Sequence, residues 1–83
     1  MTRLSDTEIT IIAAAAVLGR SCGHVLSDFE SDLVREVAAR FVRHGRDALV
    51  TDNEWPVIED AVDAMAITAG EQLRVWRMLK RAA

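Results

Sequence analysis

Apolar positions recur along this chain at helical spacing, and strict strand-like alternation appears nowhere. Ile9, Ile12 and Ala16 form one line and Ile11, Ala15 and Leu18 another. A first helix from about Ser5 to Leu18 is therefore apolar nearly all round and is expected at the centre of the fold. Phe29, Leu33, Val37 and Phe41 then advance by four residues, flanked by Val34, Ala38 and Val42, across a second helix from Asp28 to His44. At 100° per residue its apolar arc is roughly 220°, wider than one-sided packing needs. Asp32, Arg35, Glu36 and Arg43 fill the remainder, and Glu36 and Arg40 form an i,i+4 pair in the favourable order. A third line, Trp55, Ile58, Val62, Met65, Ala69, Leu73 and Trp76, stays within roughly 80° if one helix carries all of it.

Helix starts are written into the chain separately. Four of its six glutamates lie three residues after a Ser or Thr, in the pairs Ser5/Glu8, Ser27/Glu30, Thr51/Glu54 and Thr68/Glu71. This is the capping-box spacing: a hydroxyl accepts from the third backbone N–H, and the glutamate reaches back to the cap's own N–H. Gly19 and Gly23 are expected to end the first helix, and Gly45 to cap the second. Pro56 would fall five residues into a helix capped by Thr51, so the third start is placed at Asn53, where proline is tolerated in the first turn.

The last segment carries two conflicting signals. Thr68, Gly70 and Glu71 announce a new helix, whereas the apolar line runs on through them. An unbroken helix from Asn53 to Arg81 would be about 40 Å long, against about 30 Å across a compact monomer of this size. The expectation is an all-α bundle of three long helices, with the last kinked or broken near Thr68–Gly70 into a fourth; an uninterrupted rod points instead to a dimer. Residues 1–83 are read as a single domain, because 83 residues leave no room for a second core.

Composition sharpens this picture. Hydrophobic residues make up 51% of the chain, more than a marginal core of this size absorbs, so surplus apolar surface is expected to meet another molecule. The net charge of −3 argues against bulk nucleic-acid binding. Nine arginines against one lysine fit a GC-rich bacterial or phage coding sequence. The lone Cys22 excludes an internal disulfide and suits a reducing cytoplasm. The uninterrupted apolar stretch Ile11–Gly19 is about half a bilayer span, so no membrane role is expected.

Candidate chemistry is sparse. Cys22 and His24 are the closest approach of two metal ligands, but a structural zinc site needs four and only His44 is left to add. A cysteine nucleophile needs a base and an orienting third group, which nothing here supplies. Glu59 and Asp60 read as a solvated helix face. No catalytic residue, metal, cofactor or small-molecule substrate is expected, and the protein is read as a non-enzyme.

Ala15, Leu18, Gly19, Ser21 and Val25 fall where a helix-turn-helix unit places its small residue, apolar contact, turn glycine, cap and second-helix anchor. The run AAVLGRSCGHV resembles such modules in bacterial regulators, and the resemblance implies a DNA-binding transcriptional regulator using residues 11–30. A recognition helix beginning near Cys22 would present Gly23, His24, Asp28, Glu30 and Asp32, with no Arg or Lys for phosphate or guanine.

The favoured reading lies at the other end of the chain. Residues 52–63 hold five acidic groups and no basic one, while Arg74, Arg77, Lys80 and Arg81 face only Glu71. Trp with Arg is what interface centres are enriched in. A protein-binding module, a small regulatory adaptor or a phage or plasmid inhibitor, is expected to dock Arg74, Trp76, Arg77, Met78 and Arg81 onto another protein or onto itself as a homodimer.

Overall fold

In a computed structural model the described residues are 3–82, without the side chains of residues 76 and 79–82. They form three α-helices, α1 (Asp6–Cys22), α2 (Asp28–His44) and α3 (Glu54–Ala82), with single 3₁₀ turns at Gly23–Val25 and Gly45–Asp47. No strand is present among the described residues. α1 packs on both of the other helices, and α2 and α3 meet each other less extensively.

The first two capping boxes form in full. Ser5 Oγ accepts from the Glu8 N–H and Glu8 Oε1 accepts from the Ser5 N–H; Ser27 and Glu30 repeat the arrangement. The bond from the Ser27 N–H holds the Glu30 carboxyl below its ordinary pKa. The third box is half made. The Thr51 N–H donates to Glu54 Oε1 at 2.9 Å, and α3 opens at Glu54 with Pro56 inside its first turn.

Two expectations are corrected. Gly19 does not end α1, which runs on to Cys22. A glycine inside a helix costs only about 1 kcal/mol relative to alanine, and three further residues bring the Cys22 side chain to full burial. Nor does α3 break into a fourth helix at Thr68–Gly70. Thr68 Oγ1 donates to the Ala64 carbonyl one turn back, the alternative open to a threonine inside a helix, so its hydroxyl caps nothing. The 29 residues of α3 then span about 43 Å, and the molecule measures 54 × 25 × 19 Å. Its radius of gyration, 14.6 Å, exceeds the roughly 12 Å of a compact chain of this length.

The main core cluster is Leu4 before α1, Ile12 and Ala15 of α1, Leu33, Val34 and Val37 of α2, Ala48 of the second connection, and Ile58 and Ala61 of α3, with Cys22 and Met65 fully buried beyond it. Trp55 is half-buried against it. α1 is central but not sealed all round: Ala13, Ala16 and Val17 face outward. Asp6–Val25 is long and apolar enough to cross a membrane by length and composition alone, a property shared by core helices of soluble proteins.

Candidate protein-docking surface

The direction of α3 is set by polar ties at its start. Arg40 of α2 donates Nη1 to Glu54 Oε1 at 2.9 Å and Nη2 to Glu54 Oε2 at 3.1 Å, a bidentate fork. The same guanidinium reaches the Leu49 carbonyl at 3.1 Å and Glu36 at 2.7 Å. Hydrogen bonds from Arg40 push the Glu54 carboxyl below its ordinary pKa, with burial working against them. Arg40 is raised in turn by Glu54 and Glu36. The same connection is tied to the start of α1 by Arg46, whose carbonyl accepts from the Leu4 N–H at 2.9 Å and whose guanidinium returns to the Leu4 carbonyl and to Asp6.

From that anchored start, α3 lays Ile58, Ala61 and Met65 into the interior, all essentially fully buried. The last tie to the bundle among the described residues is at Gln72, whose Oε1 lies 3.8 Å from the Cys22 thiol. Beyond it the helix stands clear. Leu73, Val75 and Met78 are 48%, 56% and 66% exposed, and Arg74 and Arg77 are exposed beside them. No ion pair to Arg74 or Arg77 forms among the described residues.

The docking residues expected from sequence divide by position. Arg74, Arg77 and Met78 lie within roughly 100° on the outer face of α3, together and accessible. Trp76 and Arg81 fall outside the described side chains. Leu73 continues the apolar line past the end of the bundle and Val75 lies off it, and neither is among the docking residues expected from sequence. The signal that finds Leu73 is the line's length, which exceeds what two 17-residue partner helices cover.

The segment that resembles a helix-turn-helix is built differently from such a unit. No α-helix begins near Cys22: α1 holds Gly19 and Ser21 inside it and ends on Cys22, a single 3₁₀ turn follows, and the next α-helix opens at Asp28 with Asp28, Glu30 and Asp32 in its first turns. Cys22 is buried beside Ser21 and Gln72, and His24 lies exposed on the turn after it. Among the described residues no group of three or more His, Cys, Asp or Glu is placed to hold a metal ion. An open groove of about 430 Å³ runs between α1 and α2, lined by Ala16, Gly19, Leu26, Ala38 and Val42, with Arg20 and Arg35 at its edge. Comparison with protein-family models, with curated proteins and with solved structures finds no match.

Proposed function

We propose that this chain is a non-enzymatic protein-binding module whose working element is α3 beyond Gln72, with Arg74, Trp76, Arg77, Met78 and Arg81 as its docking residues. One observation carries the reading. A helix anchored by Arg40, Glu54 and Met65 extends past its own bundle with Leu73, Val75 and Met78 in solvent. A lone domain gains nothing from holding those side chains apart from its core. A partner that covers them recovers roughly 25 cal/mol for each Å² of apolar surface removed from water. Arg74 and Arg77 add orientation and choice of partner, an acidic surface being the complement they demand.

The role that fits such a device is that of a small adaptor or inhibitor working in the cytoplasm of a bacterium or on behalf of a phage or plasmid. The test is affinity capture from the native host's extract, with the wild-type chain beside an Arg74→Glu/Met78→Glu variant. The reading expects at least one protein to be held by the first and lost by the second. The same bound proteins on both would contradict it.

A further inference from the structure

The outer face of α3 is charged in two opposite blocks. Glu59, Asp60 and Asp63 stand exposed on the half that lies on the bundle, Arg74 and Arg77 on the half that projects, and Ala66, Ile67 and Gly70 between them. None of the five charged groups has an ion-pair partner among the described residues. Their register is specific. Glu59 and Arg77 are about five turns apart and share one azimuth on the helix, about 27 Å between them. Asp63 and Arg74 are about three turns apart, again on nearly one azimuth. Both pairs are centred on the same level of α3, at Thr68–Ala69. That is the symmetry of a surface complementary to itself.

We infer that a second copy of this chain covers this face, with the two α3 helices antiparallel about a two-fold axis at Thr68–Ala69. The inference takes Arg74 and Arg77 from the docking reading above and names the partner that meets them. In this arrangement Glu59 meets Arg77 of the second copy and Asp63 meets its Arg74, each contact occurring twice as an isologous interface requires. A parallel pairing would set like charges together. The free half of each α3 then lies along the anchored half of the other, so the length that projects from one bundle is the length that the other supports. At the crossing stand Ala66 and Gly70. A Cβ on Gly70 would meet nothing within 4 Å inside a single copy, so the chain's own packing does not require glycine there, whereas a close helix crossing uses it. Ile67, 65% exposed, is the apolar centre.

Exposed pairs of this kind are individually weak and screened by salt, so association belongs in the micromolar range and weakens as salt is added. The test is sedimentation velocity on the full chain from about 1 to 100 μM at low salt, with two charge-reversed variants, Arg74→Glu/Arg77→Glu and Glu59→Arg/Asp63→Arg. Wild type is expected to shift from monomer to dimer mass across that range. Each variant alone should need at least a tenfold higher concentration, and an equimolar mixture of the two should dimerise again, because each supplies the block that the other lacks. All substituted positions are exposed, and matching circular dichroism confirms that the variants fold. A wild-type mass that stays monomeric overturns self-pairing, as does a mixture that fails to recover, and either result leaves the docking of a different protein to stand or fall on host-extract capture alone.

Discussion

The Cys22 thiol, fully buried at the end of α1, lies 3.8 Å from Gln72 Oε1, and this contact marks where α3 leaves the bundle. Up to Met65, α3 alternates buried and exposed positions as a packed helix does; after Gln72, every residue whose side chain is described is exposed. A single sulfur contact of this length contributes little energy, so what holds the helix in place is the core behind it, Met65, Ala61 and Ile58. Cys22 therefore reports on the join. In the folded protein its reaction with a thiol reagent should be slower by about two orders of magnitude or more than in the urea-unfolded chain. Equal rates would mean that α1 and α3 are not closed against each other.

The two halves of α3 should answer differently to truncation. Met65→Ala, at a fully buried site, is expected to cost about 2–5 kcal/mol. Leu73→Ala, half in solvent, should stay within about 0.5 kcal/mol. Urea denaturation at a protein concentration low enough to keep the chain monomeric makes the comparison. Equal losses would place Leu73 inside the core.

Arg40 and Glu54 predict an acid-sensitive corner. Glu54 is held below its ordinary value, chiefly by hydrogen bonds from Arg40, so folding favours its ionised form. The resulting stability is fully present above the ordinary glutamate value of 4.5 and is lost as pH falls from there through Glu54's lowered value in the folded chain. Glu54→Gln should remove that part of the acid loss. At neutral pH, Arg40→Met is expected to destabilise by about 1–3 kcal/mol, because it strands a half-buried carboxylate. Parallel stability–pH curves for wild type and Glu54→Gln above pH 3 would show that the fork contributes nothing.

Ser5, Ser27 and Thr68 share one sequence signature and divide in the structure. Ser5→Ala and Ser27→Ala should each cost about 1 kcal/mol, since each orphans helix N–H groups. Thr68→Ala should cost less than about 0.5 kcal/mol, because its hydroxyl only doubles a bond within the same helix. A loss at Thr68 equal to that at Ser27 would indicate that a helix does start there. Gly70→Ala should stabilise the single chain by about 0.5–1 kcal/mol, since its site is helical and open.

Those residues also show how far the chain could be read before its structure was known. Local signals placed α2 at both ends and α1 and α3 at their starts, because a cap and its glutamate act within one turn. Gly19 and Thr68–Gly70 misled for one reason. Propensity at one or two positions is worth about 1 kcal/mol, less than the burial gained by carrying the helix on. Glu36 was visible as a partner of Arg40 by i,i+4 spacing, but Glu54 was not, since 14 residues and a turn lie between. The tie of Arg46 to Leu4, across 42 residues, was equally hidden. The docking end was legible as composition, an apolar and basic tail. Which residues share a face was not, because the answer depends on whether the helix breaks.

The account stands on the claim that α3 past Gln72 is the surface that meets another chain, and photo-crosslinking in native host cells tests it most directly. A benzophenone side chain would replace Val75 or Met78 in one set of variants, and Val42 or Phe29, also apolar and exposed, in the other. Crosslinks from positions 75 and 78 to a second polypeptide, with few or none from 42 and 29, are the expected result. Crosslinks from 42 and 29 alone, with positions 75 and 78 silent, would place the working surface on α2 and contradict the account.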